Sequence, residues 1–246
     1  MPKDGIERVE TGIKGFDELV EGGLPQGSLT LVSGQPGTGK SIFCMQILYN
    51  NALKKRNCLY ITFEQSEEDI KKQMQRFNWK WEKLDGSLKI LSTELDDPAV
   101  LDRIQTEIKM KKYSLVAIDS LASLAGAPIP PERISTYSLE KIASSIVPIP
   151  QEEESLIRQK IKMIINQLRK GHVTALLTSE MSKNSEWFSR DTISEFLCDG
   201  VVLLHAVEGE EGFRTLNIPK MRYTKQRAGI YSFEIGEKGI VVRSEE

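Results

Sequence analysis

The sequence has no surplus of either charge. Lysine and arginine number 33, aspartate and glutamate 35, for a formal net charge of −2 over 246 residues. A chain that grips nucleic acid through its overall charge is basic, so that footprint is missing from the totals, and only a local patch stays open. Cysteine is scarce: Cys44, Cys58 and Cys198 are scattered through apolar stretches. Their spacing excludes a disulfide framework and a thiolate metal site, and fits buried reduced thiols in a cytoplasmic protein. No apolar run approaches the ~18 residues of a membrane-crossing helix. The opening Met-Pro-Lys-Asp-Gly-Ile-Glu has no apolar core, so no secretory signal is expected. Internal repeats, low-complexity tracts and clear linkers are lacking too. What remains is the composition of a globular chain, 39% hydrophobic and 28% charged, with length for a sizeable core. Residues 1–246 are read as a single domain.

That domain is organised around Gly34-Gln35-Pro36-Gly37-Thr38-Gly39-Lys40-Ser41. The spacing is G-x-x-x-x-G-K-S. An apolar run, Leu29 to Val32, precedes it, and Ile42 to Leu48 follows as a helix. Strand, glycine loop and helix form the context that makes this motif a phosphate site. The glycines let successive backbone N–H groups turn inward on a triphosphate, and the helix start adds its positive dipole end. Lys40 is placed to reach the β- and γ-phosphates, and the Ser41 hydroxyl to ligate Mg²⁺. The nucleotide-binding candidates are therefore Gly34, Pro36, Gly37, Thr38, Gly39, Lys40, Ser41 and Ile42, with ATP and Mg²⁺ as the cofactors.

Further elements alternate along the chain. Residues 9–27 are a turn-rich lead-in anchored by Phe16 and Leu19. Strands are expected over 28–33, 57–63, 88–91, 114–120, 172–178 and 201–204. Helices are expected from the loop to about Lys55, from Ser66 to about Phe77, from Pro98 through Ile108, and from Glu152 to Lys170. Gly171 stops the last of these. A turn at 208–212 leads into a strand over 213–218, and residues 230–235 and 240–242 form a closing hairpin. The order predicts an α/β fold: a mostly parallel central sheet flanked by helices, with antiparallel strands at the carboxyl end. Five of the ten prolines fall between residues 128 and 150. Segment 125–151 is read as an inserted lid or subunit-contact loop with a short helix over 132–147.

Nucleotide hydrolysis needs a carboxylate for the metal, a base for water and positive charge on the phosphates. Asp119 ends an apolar strand, as a metal-directed aspartate does. Glu64 ends the second strand at the rim where open α/β sheets bind ligands, and a carboxylate there can polarise water. A plain surface glutamate is the alternative. Lys220 and Arg222, placed after the strand 214–218, are spaced i, i+2 and project to one side of an extended segment. Arg222 can serve as a finger in a neighbour's site; a solvated basic pair is the alternative.

These residues resemble the KaiC family of the RecA superfamily. The likeness begins with Val9-Glu10-Thr11-Gly12-Ile13-Lys14-Gly15-Phe16-Asp17 and Gly22-Gly23-Leu24-Pro25. It continues through the phosphate loop, Thr62-Phe63-Glu64, Ile118-Asp119-Ser120, Thr178-Ser179-Glu180, Asp199-Gly200-Val201, Lys220-Met221-Arg222 and Glu237-Lys238-Gly239-Ile240. It implies a RecA-like ATPase core in a ring, a hexamer, with nucleotide clamped between neighbours. Glu64 matches the catalytic glutamate. Lys220 and Arg222 match residues that reach the adjacent subunit's nucleotide, Thr224 and Gln226 further contacts there, and Arg76 a position near the base. Departures accompany the likeness. Gln65 stands where the family has a second acid. Tyr223 and Gln226 replace a glycine and a histidine in the finger segment. Glu195 and Phe196 occupy the places where autokinase copies carry hydroxyls, which favours hydrolysis over self-phosphorylation, and segment 125–151 exceeds the family norm. A single-stranded DNA-binding regulator, an autokinase and a nucleotide-sensing module stay open as alternatives, with Trp79 and Trp81 as stacking platforms in the first.

Overall fold

The computed structural model describes residues 5–94, 97, 99–110, 112–126, 151–181, 187–206 and 213–243. The strand ahead of the glycine loop, β3 (Leu29–Gly34), is buried at every position. A strand without a polar face must be covered on both sides. It pairs in parallel with β7 (Thr174–Glu180) on one edge and β8 (Gly200–Ala206) on the other. Beyond β7 lie β6 (Leu115–Asp119), β4 (Cys58–Thr62) and β5 (Leu88–Ser92), all parallel. Beyond β8, antiparallel strands β9 (Arg214–Met221), β10 (Ile230–Gly236) and β11 (Gly239–Arg243) complete a nine-stranded sheet of order β11-β10-β9-β8-β3-β7-β6-β4-β5.

Period-two alternation divides the core. Val32, Tyr60, Ala117, Leu176 and Val202 point to one face, packing with Phe43, Ile47 and Leu48 of α1 (Lys40–Leu53) and Ile70 and Met74 of α2 (Glu67–Arg76). Leu31, Leu59, Ile61, Val116, Ile118 and Leu177 point to the other. There they meet Ile104 of α3 (Val100–Met110), Leu124 of α4 (Leu121–Gly126) and Ile161, Ile165 and Leu168 of α5 (Gln151–Lys170). The three cysteines are buried and free, and burial pushes the Cys58 and Cys198 thiols up to about 12.

The helix starts follow their local chemistry. Ser66 caps α2 by accepting from the Asp69 N–H at 3.2 Å, with three acids in the first turn. Asp97 serves α3, its carboxylate accepting from the Ala99 N–H at 2.8 Å.

Three details differ from expectation. The lead-in contains a two-stranded pair, β1 (Arg8–Val9) with β2 (Leu24–Pro25), and a 3₁₀ turn over Asp17–Val20. Runs this short carry no periodicity to read. Strand β9 continues to Met221, so Lys220 lies within it rather than after it; Pro219, a strand breaker by rule, sits next to Lys220. Helices α4 and α6 (Ser194–Leu197) were not anticipated, being too short for a helical period. Residues 127–150, with the helix expected over 132–147, and the turn expected at 208–212 lie outside the described residues.

Candidate functional site

Strand β3 delivers the loop to the carboxyl rim of the sheet, and α1 leaves from it. Gly34 cannot carry a side chain, because a Cβ there would lie 2.2 Å from the Leu204 carbonyl oxygen on β8. Gly39 adopts φ 103° directly before Lys40, a left-handed conformation that glycine reaches without strain. The Thr38 hydroxyl donates to the Gln35 carbonyl at 2.8 Å and fixes the loop's curl. The Lys40 ammonium donates to the Gly34 and Gln35 carbonyls, each at 3.0 Å. Burial lowers the Lys40 pKa, against the opposing pull of Glu180, Asp119, Cys44 and Glu64. A cation held partly desolvated beside the first turn of a helix suits an anion.

Asp119 ends β6 beside this lysine. Its two carboxylate oxygens accept from different strands, one from the Tyr60 hydroxyl at 2.5 Å and the other from the Thr178 hydroxyl at 2.6 Å. Burial and then Asp119 push the Tyr60 phenol well above its ordinary value, and the nearby Ser41 hydroxyl opposes that rise. Ser41 and Asp119 therefore both neighbour one phenol. Glu64 follows β4 and accepts from the Ser123 hydroxyl at 3.3 Å, while Ser123 and Ser120 share a hydrogen bond of 2.7 Å. Among the described residues no three His, Cys, Asp or Glu side chains gather to cage a metal. One carboxylate and one hydroxyl beside a phosphate cradle fit Mg²⁺, which keeps several waters and completes its shell with substrate oxygens.

The other candidates occupy the opposite rim. Asp199 precedes β8, and its N–H and carboxylate bond the carbonyl and N–H of Leu29, the first residue of β3. Arg222 donates to the Asp199 carboxylate at 3.2 Å, as does Arg169. Lys220 donates to the carbonyls of Glu195 at 2.9 Å and Cys198 at 2.6 Å. Burial, then the nearby Arg222 charge, lowers the Lys220 pKa. Leu29 and Gly34 stand at opposite ends of β3, ~16 Å apart by strand rise. Within one chain the structure brings together Lys40, Ser41, Glu64 and Asp119 but keeps Lys220 and Arg222 away from them.

Segment 222–227 leaves from this far rim. Arg8, nearly buried, holds it by donating to the Thr224 hydroxyl at 2.8 Å, the Tyr223 carbonyl at 2.9 Å and the Glu21 carboxylate at 3.0 Å. Tyr223 sits at φ 59°, the conformation the family's glycine suits, and its ring is exposed. Gln226 is half-buried in this segment, and Arg76 is exposed as the last residue of α2. Trp79 is buried, stacked on Tyr49 with centroids 5.4 Å apart, and Trp81 lies under the Lys71 ammonium at 4.5 Å. Trp79 is therefore a packing residue rather than an open platform. Glu195 is buried and accepts from the Ser189 hydroxyl, while Phe196 is exposed.

Comparison with known proteins agrees with this geometry. A family model described as ATPase: KaiC matches residues 9–246. The chain belongs to the KaiC ATPase family. It is 33% identical to circadian clock oscillator protein KaiC 1 of Synechocystis sp. strain PCC 6803 over 98% of this chain and 45% of that protein. It is 32% identical to circadian clock oscillator protein KaiC of Parathermosynechococcus lividus over 96% of this chain and 42% of that protein. The chain thus spans less than half the length of these curated relatives. A crystal structure of a KaiC-like protein from Pyrococcus horikoshii OT3 is similar with a TM-score of 0.79 and 32% identity, covering 97% of this chain and all of that one. The RecA-like P-loop core is thereby established, and no helix among the described residues is long and apolar enough to cross a membrane.

The sequence pointed to Lys40, Ser41, Glu64 and Asp119 but missed the residues that hold them. Tyr60 and Thr178 read as ordinary members of buried strands, and only a polar atom inside an apolar run signals a bond to be made. Ser123, Asp199 and Arg8 act through long-range contacts that no local pattern reveals.

Proposed function

We propose that the chain is a Mg²⁺-dependent ATPase domain over residues 1–246 that acts as a ring-forming homo-oligomer, a hexamer, in the cytoplasm. The observation that carries this reading is the convergence of Lys40, Ser41, Glu64 and Asp119 on one rim. The loop's main-chain N–H groups bind the β- and γ-phosphates, and Lys40 turns from the Gly34 and Gln35 carbonyls to the phosphate oxygens. Ser41 and Asp119 hold Mg²⁺, which neutralises charge on the phosphate oxygens. Glu64, steadied by Ser123, accepts a proton from the attacking water as its oxygen bonds to the γ-phosphorus. The bond to the bridging oxygen breaks, leaving ADP and phosphate. The far rim supplies Lys220 and Arg222 to the next copy, with Thr224 and Gln226 as further contacts to its nucleotide, while Arg76 serves as a contact near the base. The distance separating them from their own loop supports delivery across an interface.

The test is nucleotide binding and turnover on size-fractionated protein. Wild-type protein binds ATP in magnesium buffer and hydrolyses it. Lys40→Ala weakens binding by about 100-fold, the worth of one or two lost charge-assisted hydrogen bonds. Glu64→Gln keeps binding and loses ~10²–10⁴-fold in turnover. Wild-type protein with no affinity for Mg·ATP would overturn the reading.

A further inference from the structure

Tyr60 is a hydroxyl placed where packing alone asks for none. It stands in the middle of β4, fully buried, on the sheet face that α1 covers. Its strand neighbours Leu59 and Ile61 are apolar and face the other way. A phenylalanine would fill the same volume without a polar atom to satisfy, and a buried tyrosine needs a partner for its O–H. That partner is Asp119. Register pairs Tyr60 with Ala117 and Thr62 with Asp119, so the ring reaches along the sheet toward the rim to meet the carboxylate. Thr178 of β7 holds the other oxygen from the opposite side. Two donors from strands flanking β6 therefore fix the plane of one carboxylate.

We propose that Tyr60, with Thr178 opposite it, is a positioning residue for the metal site, presetting the orientation of Asp119 toward Mg²⁺. The inference rests on the ATPase reading above, because Asp119 serves a metal only if Mg·nucleotide binds there. Groups that orient a metal's protein partners typically contribute 10–100-fold in metal affinity. In this arrangement Tyr60 acts through Asp119 and not on the nucleotide itself. Its effect therefore belongs in the magnesium dependence and not in the grip of the loop on phosphate.

The experiment titrates the wild-type chain of residues 1–246, Tyr60→Phe and Thr178→Val with a fluorescent ADP analogue, first in EDTA and then against rising Mg²⁺. Removing either hydroxyl leaves the metal-free affinity within about twofold and raises the Mg²⁺ midpoint by ~10-fold or more. A Mg²⁺ midpoint within twofold of wild type overturns the inference. So does an equal loss of binding with and without metal, which marks a merely structural role. If Tyr60→Phe fails to fold, Thr178→Val decides by the same criteria from the other side of Asp119. Wild-type protein that binds no nucleotide overturns the ATPase reading and this inference with it. Magnesium-dependent binding with unaltered variants overturns the inference alone.

Discussion

The two rims of the sheet carry the same kinds of residue in opposite arrangements. At the carboxyl rim Asp119 is fixed by two neutral hydroxyls, and its lysine, Lys40, is capped only by carbonyls of its own loop. At the amino rim Asp199 is fixed by main-chain bonds to Leu29 and by two arginines. The first arrangement leaves the Lys40 ammonium and the Asp119 carboxylate without an ion pair among the described residues. The second spends its carboxylate on structure, leaving the cations in excess: Arg169, Arg222 and Lys220 surround one acid. An ordered rim with surplus positive charge complements a rim built for a triphosphate, and no single chain can bring the two together across ~16 Å of strand.

Mixing breaks or sharpens that complementarity with the largest effect. Arg222→Ala removes a finger worth ~10³-fold or more in turnover if it acts on a transferring phosphoryl group. Glu64→Gln removes the base on the other rim. Each variant alone is inactive by steady-state ATPase assay. Co-assembled, an Arg222→Ala copy next to a Glu64→Gln copy rebuilds one intact site from two damaged ones, so activity returns and peaks near equal proportions. Failure to recover at any ratio removes the trans finger.

Most of the carboxyl rim was legible, and little of the amino rim. Lys40, Ser41, Glu64 and Asp119 sit at strand ends or in a spaced motif, where local pattern and position agree. The parallel core was legible for the same reason, since buried runs such as Leu115–Ile118 admit few other readings. The amino rim is assembled from contacts 12 to 216 residues apart, such as Arg8 to Val20 and to Thr224, which leave no periodic trace. Position in the chain alone does not say which rim Lys220 and Arg222 occupy, and the antiparallel return of β9 puts them at the far end from the glycine loop. Likewise Tyr223 in a left-handed turn shows why a glycine suits this position, a point the sequence raises only as a departure.

The same substitution on the two rims separates their roles at intermediate magnitude. Asp199→Asn removes the charge facing two half-exposed arginines from a carboxylate that is 9% exposed. Breaking a buried pair costs ~3–5 kcal/mol; screening of the exposed partners reduces this to roughly 1–2 kcal/mol. Asp119→Asn keeps two hydroxyl neighbours that can rotate to donate or accept, so its stability stays within ~0.5 kcal/mol of wild type while the magnesium dependence is lost. Urea unfolding of both variants reads the difference. Equal destabilisation would mean that Asp119 is as structural as Asp199.

The smallest effect concerns the cation crowding of the amino rim. Lys220 sits below its ordinary value of 10.5 because of burial first and the Arg222 charge second. Removing Arg222 removes one cause and leaves the other, so Arg222→Ala moves the Lys220 pKa upward without restoring it fully. Linkage fixes the sign for stability. With the folded value below the free one, the unfolded chain binds more protons between the two, and stability rises with pH across that window. The rise is shallower in Arg222→Ala. Titration of ¹³C-methylated lysines by NMR reads the shift directly, with Lys220→Arg identifying the resonance. A Lys220 signal that titrates identically in both proteins would show that Arg222 points away from it in solution, and the two cations would then not form the shared patch that the far rim presents to a neighbour.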